Sequence, residues 1–258
     1  MVCQPRAKER TVFRKNNSLS NRASRYKMSK LTLIFERQLW HYLLLPVLLA
    51  GLVIISRVEG FLTGQFIGVS TGEWFFVGIV IPIVHQFYVW ICWRTQLHYS
   101  LITRLLGRSG FTYYSIIFLI LMISRFVLIF FLAMSNKNSL DANPILLYGL
   151  SIIFGFLVLY VLYFIARFFT FRRALGIDHF DPSYRSAELV KEGIFRFADN
   201  AMYTFGLLIL WIPGLLFSSK AALAVALFSH VYIWVHYYCT EKPDMRKIYG
   251  KSVSSENR

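Results

Sequence analysis

Long uninterrupted apolar runs constrain this chain more than any other feature. A helix rising 1.5 Å per residue needs about 20 apolar residues to cross a hydrocarbon core about 30 Å thick. Six stretches approach or meet that length: 39–55, 74–93, 111–134, 145–166, 202–217 and 221–238. Inside lipid the backbone must satisfy its own hydrogen bonds, which selects helix. The alternating segments of a membrane barrel are not seen. Composition agrees, because only 16% of the 258 residues are charged and 56% are hydrophobic, whereas a soluble domain carries about 25% charged residues. The expected fold class is all-α, a polytopic membrane protein of about six hydrophobic helices. The fifth stretch is short and carries Pro213-Gly214, and only Ser218-Ser219-Lys220 separate it from the sixth. The last two therefore read as a tight C-terminal helical hairpin whose arms need not each cross the bilayer.

Basic residues set the expected orientation, since cytosolic loops hold an excess of Lys and Arg. Of the 28, 24 lie in the N-terminal arm, the loops after the second and fourth stretches, and the tail. Arg57, Lys137 and Lys220 lie in the alternate loops and Arg125 inside a stretch. Both termini are thus expected in the cytosol, with the chain integral to a bacterial inner membrane or the endoplasmic reticulum. Three regions follow: a basic, disordered arm over 1–37, four transmembrane helices over 38–166, and a terminal region over 167–258. The arm also reads as an extension ahead of a start at Met28-Ser29-Lys30, or as a targeting sequence. The net charge of +15 is what cationic loops beside anionic lipid produce. No nucleic-acid motif accompanies it, so no nucleic-acid partner is expected. Cys3, Cys92 and Cys239 show no paired spacing, which argues against a disulfide framework or a metal site.

Polar residues inside the apolar stretches are few. Arg125 and His85-Gln86 sit where an ionisable group is costly. They read either as interhelical hydrogen-bonding or snorkelling groups, or as contacts to a polar ligand. The loop over 167–200 is the longest and the richest in both charge signs, and Glu241 and Asp244 punctuate the tail. A hairpin would bring these two regions to one membrane face. On the last helix His230, Trp234, Tyr237 and Glu241 recur at steps of four, three and four, which puts them on one face. Aromatic faces attract cations such as a sulfonium, and a carboxylate can accept ribose hydroxyls; an interfacial aromatic belt is the plainer reading. No hydrolase elbow, zinc-protease motif, Walker loop or dinucleotide fingerprint occurs, and no matching pair of interrupted helices suggests a transporter.

The run Leu189-Val190-Lys191-Glu192-Gly193-Ile194-Phe195-Arg196-Phe197, followed by Asn200-Ala201-Met202-Tyr203, resembles the first motif of the integral-membrane methyltransferases. That superfamily includes phosphatidylethanolamine N-methyltransferases and isoprenylcysteine carboxyl methyltransferases. After the hairpin, Glu241-Lys242-Pro243-Asp244-Met245-Arg246-Lys247-Ile248-Tyr249-Gly250 resembles the second motif at the right distance. The likeness covers about residues 172–250. This chain has Asn200-Ala201 where the family has His-Pro, Gly206 one residue late, and Lys242 for the second glutamate. Asn200 keeps a polar contact but cannot carry a proton at neutral pH, and Glu241 is left as the motif's only carboxylate.

The resemblance implies S-adenosyl-L-methionine as cofactor, held by Leu189, Val190, Phe195, Asn200, Met202, Tyr203 and Glu241. It implies a membrane lipid as substrate, phosphatidylethanolamine or its partly methylated forms at the amine, hence a place in phosphatidylcholine biosynthesis. An isoprenylcysteine carboxylate is the alternative acceptor. A second alternative is a non-methyltransferase membrane protein related to sterol reductases. An amine nucleophile must lose a proton; Glu241 and His236 are the catalytic candidates, with His230 and Asp199 behind them. No metal is required.

Overall fold

The computed structural model describes residues 30–186 and 200–253. The expected contacts Leu189, Val190 and Phe195, and the candidate base Asp199, lie outside the described residues. In chain order the helices are α1 (Lys30–Ile34), α2 (Gln38–Ser56), α3 (Thr71–Tyr99), α4 (Leu101–Leu106), α5 (Gly110–Ser135), α6 (Pro144–Phe164), α7 (Phe171–Ala174), α8 (Ala201–Thr204), α9 (Trp211–Leu216), α10 (Lys220–His236) and α11 (Lys242–Val253). Between α2 and α3 a small antiparallel hairpin pairs Gln65 with Ser70 and Phe66 with Val69. A π-helical turn, Ile165–Phe169, extends α6, and a second, Tyr237–Glu241, joins α10 to α11.

Five helical stretches among the described residues are long and apolar enough to cross a bilayer: Thr32–Ser56, Thr71–Tyr99, Leu101–Ser135, Pro144–Phe169 and Lys220–Gly250. A shorter apolar stretch, Ala201–Leu216, is the sixth. The all-α polytopic expectation holds. Helices α2, α3 and α5 outrun their apolar stretches at both ends, and polar groups cap the starts of α3 and α6. At the start of α3, Ser70 Oγ accepts from the Glu73 amide and the Glu73 carboxylate accepts from the Ser70 amide, a reciprocal cap. At the start of α6, Asn143 Oδ1 accepts from the Ile145 amide at 2.9 Å, with Pro144 in the first turn.

The bundle is apolar outside and partly polar inside. Leu43, Val47 and Ile54 of α2, Ile120 and Ile123 of α5, and Ile152, Phe156 and Leu159 of α6 are all exposed, a surface that hydrocarbon solvates and water does not. Gln38, His41, His85, Gln86, Arg94, Arg125 and His236 are buried. The core centres on α10, which packs against α2, α3, α5 and α9. Its Ala221, Ala222, Ala224 and Ala226 are small enough to let neighbouring backbones approach. The hairpin closes as expected: the Ser219 amide donates to the Gly214 carbonyl at 2.8 Å. A Cβ on Gly214 would lie 2.8 Å from the Leu223 side chain, so the close approach of the two arms requires glycine there.

Opposite ends of the bundle are tied differently. At the hairpin end, Asn136 collects the loops: its Oδ1 accepts from the Ala221 amide and Ser219 hydroxyl, and its Nδ2 donates to the Phe61 and Thr63 carbonyls. At the other end, α1, the end of α3, α7 and α11 converge through charged groups. That basic end holds the candidate site.

Candidate functional site

Glu241 closes the π-helical turn Tyr237–Glu241. Such turns carry an extra residue, re-aim the side chains that follow, and occur often at functional sites. The Glu241 carboxylate accepts a hydrogen bond from the Tyr203 hydroxyl. Tyr203 sits on α8, in the segment after the long polar loop, so this bond joins the two stretches that flank the hairpin. The Tyr203 ring stands edge-on to Trp234 (6.2 Å between centroids) and to Tyr237 (6.1 Å), and Trp234 is edge-on to Tyr237 at 5.7 Å. Three mutually steep aromatic rings therefore surround one partly buried carboxylate. Farther along the same stripe, Trp211 Nε1 donates to His230 Nδ1 at 3.1 Å, tying the hairpin arms together.

Other expected site residues fall around this pair in different ways. Asn200 lies beside Tyr203, and its carbonyl accepts from the Tyr203 and Thr204 amides at 2.9 and 3.0 Å, opening the short helix. Met202 packs toward Val161, Ile165 and Ala201, on the α6 side. His236 is buried against Trp93, 5.9 Å between ring centroids, and neither ring nitrogen has a hydrogen-bond partner among the described residues.

Behind the aromatic box lies a buried charged network. Arg94, at the end of α3, and Asp244, in α11, are both fully buried and approach to 2.7 Å. Arg94 also donates to the carbonyls of Leu33, Cys239 and Thr240, so one guanidinium ties α1, α3 and the π turn. His179 comes within 3.5 Å of Asp244 and stacks on Trp93 at 4.2 Å. Trp93 in turn donates to the Tyr114 hydroxyl at 2.8 Å. Beside it the Tyr249 hydroxyl donates to Asp178 at 2.6 Å and accepts from Arg173 at 3.0 Å. Burial pushes the Asp178 carboxyl above the usual aspartate range, against the opposing pull of the Tyr249 hydroxyl and the Arg173 charge. Gln38 donates to the Cys239 carbonyl, and His41 bridges Gln38 and Tyr232.

Sequence reasoning singled out neither Arg94, His179 and Trp93 nor Gln38 and His41. A signal existed for Arg94, an arginine at the end of an apolar stretch on the same basic side as Asp244 of the tail. Pairing it with Asp244, 150 residues away, needed the fold.

Fold and site together define a polytopic helical membrane protein whose terminal hairpin carries an aromatic–carboxylate cluster at the basic end. Residues 143–252 match the family model described as phospholipid methyltransferase, which reaches back beyond the two motifs to take in all of α6. A phosphatidylethanolamine N-methyltransferase of Talaromyces marneffei is 34% identical over 70 residues, 27% of this chain and 7% of that protein. Proteins of the same name from Paracoccidioides lutzii and Penicillium rubens are 33% and 35% identical over 69 and 71 residues, again 7% of each. The matched part thus spans a small fraction of those relatives' length. No solved structure matches the chain.

Proposed function

We propose that this chain is an S-adenosylmethionine-dependent phospholipid N-methyltransferase acting on phosphatidylethanolamine or its partly methylated forms. The observation that carries the reading is the Tyr203–Glu241 hydrogen bond inside an aromatic box. The phospholipid methyltransferase match over residues 143–252 and the names of the relatives supply its chemical class. The basic end faces the cytosol in this reading, with residues 167–258 forming the cofactor region and the acceptor lipid entering from the bilayer.

The residues present fit the cofactor. The faces of Tyr203, Trp234 and Tyr237 suit a cation, and Glu241 can accept from hydroxyls once Tyr203 shares it. When bound, S-adenosylmethionine supplies a sulfonium-borne methyl carbon, an electrophile that needs alignment more than activation. The chain's part is to hold that ligand, exclude water and take the proton that an ammonium acceptor must shed. Glu241 and His236 are the groups assigned to that proton. Asn200, Met202 and, outside the described residues, Leu189, Val190 and Phe195 complete the proposed cofactor contacts.

The test is lipid analysis. Purified protein with S-adenosylmethionine and phosphatidylethanolamine bilayers is expected to yield mono-, di- or trimethylated lipid by mass spectrometry. Transfer only to a farnesyl-cysteine peptide would replace the acceptor, and absence of S-adenosylmethionine binding in a calorimeter would overturn the reading.

A further inference from the structure

Between α2 and α10 runs a groove of about 370 Å³ that the function proposed above does not use. Leu44, Val47 and Leu48 line it from α2, and Val231, Trp234 and Val235 line it from α10. The two helices are clamped together on their buried faces. There Gln38 donates to the Cys239 carbonyl at 3.1 Å, and His41 lies 2.6 Å from the Tyr232 hydroxyl. These ties turn the polar residues of α2 inward and leave Leu44 and Val47 exposed. The groove is thus held by the fold.

Its two ends differ in chemistry. Arg37, a lining residue at the start of α2, is exposed. The Lys242 ammonium lies 5.0 Å from the ring centroid of Tyr238, another lining residue. Trp40 and Tyr238, both exposed, complete this mouth, and amphipathic rings of this kind sit at headgroup level. From Arg37 to Leu48 the groove follows about 15 Å of α2 at 1.5 Å per residue, about half of a hydrocarbon core 30 Å thick. A groove one leaflet deep, apolar along its length and cationic at its mouth, complements a phospholipid of the leaflet at the basic end. An acyl chain lies along the helices, and the phosphate meets the cations. Trp234 connects the groove to the site. Its ring lines the groove and also belongs to the aromatic box, 6.2 Å from Tyr203 and 5.7 Å from Tyr237.

We propose that the groove between α2 and α10 is the docking site of the acceptor phospholipid, with Arg37 and Lys242 holding its phosphate and Trp234 standing between its chain and the aromatic box. This rests on the methyltransferase reading and adds the place where the lipid enters. Lys242, which stands where the resembling motif carries a second glutamate, then has a role: a carboxylate there would repel the phosphate.

The full chain in detergent micelles is irradiated with phosphatidylethanolamine carrying a diazirine in mid-chain, and adducts are mapped by peptide mass spectrometry. Adducts are expected to concentrate at Val47 and Val231 and to be competed by unlabelled phosphatidylethanolamine. Those at Ile152 and Phe156, exposed on α6, should be sparse and uncompeted. Equal, uncompeted labelling of both places overturns the groove. Leu44→Trp fills the groove from an exposed position; it should cut the groove adducts about tenfold and leave S-adenosylmethionine affinity unchanged. Should that variant not yield folded protein, Val47→Trp fills the same space, and the competition in wild type needs no variant. Arg37→Gln should cut the adducts about fivefold, the scale of one basic residue against an anionic lipid, with labelling by a diacylglycerol probe of the same chains unchanged. An equal loss with both probes would overturn the phosphate assignment. A dimer in native mass spectrometry with the groove residues protected from the probe would put a second copy there and overturn the lipid. If methyl transfer fails while groove labelling saturates, the phospholipid site stands without the enzymatic reading. If transfer succeeds while labelling is diffuse, the reading stands and the groove falls.

Discussion

At the residue scale, the bond between Tyr203 and Glu241 and the pair of Arg94 with Asp244 do different work. The first joins the aromatic cluster to the π turn, the second ties the helices behind it. Glu241→Gln keeps the shape of the side chain and removes its charge. It is expected to weaken S-adenosylmethionine binding about tenfold or more in calorimetry, with helix content by circular dichroism unchanged, since hydrogen bonds to a charged group contribute about 1.5–3 kcal/mol. Unaltered affinity would take Glu241 out of the site. Arg94→Ala leaves Asp244 as an uncompensated buried charge and should cost about 3–5 kcal/mol, read as a fall in the unfolding temperature of the detergent-solubilised protein. Removing both charges with apolar residues should recover much of that loss, because each partner stays buried only on account of the other. A double-mutant cycle checks the coupling.

At the scale of elements, the site depends on short irregular pieces more than on the long helices. Gly176 precedes the 3-10 turn Ile177–His179 with φ +81°, and a Cβ there would lie 2.5 Å from the Trp93 indole. Gly176→Ala is therefore expected to push His179 off Trp93 and destabilise the protein by about 1–3 kcal/mol, measured by thermal unfolding with tryptophan fluorescence as the local probe. The π turn carries Glu241, and only its geometry explains why the stripe begun at His230 and Trp234 ends against Tyr203. The long helices were legible as apolar blocks even though Pro46 and Pro82 lie inside them; in lipid, neighbouring helices accommodate a missing amide donor. The π turns, the 3-10 stretch Gly206–Leu210 and the helical start at Lys30–Ile34 were not legible. Their conformations answer to tertiary contacts, such as Leu33 carbonyl to Arg94, rather than to local propensity.

At the scale of the whole molecule, apolar surface faces outward and the costly polar groups face inward or gather at one end, as a bilayer solvent requires. The uneven spread of Lys and Arg predicts that tags at both termini are reached by a membrane-impermeant reagent only from the cytosolic side, and that a label at Lys137 is reached only from the other. Equal accessibility of both positions from one side would contradict the six-stretch topology. The order of apolar runs was enough to specify helices, their number and the hairpin, because the hydrocarbon thickness and the obligation to satisfy backbone hydrogen bonds leave few alternatives. The same reading brought Tyr203 and Glu241 to one membrane face through their motifs. Which polar groups would meet across the bundle was not written in any local pattern. Arg94 finds Asp244 and His41 finds Tyr232 only when the helices pack, since pairings so far apart in the chain are set by three-dimensional packing rather than by spacing.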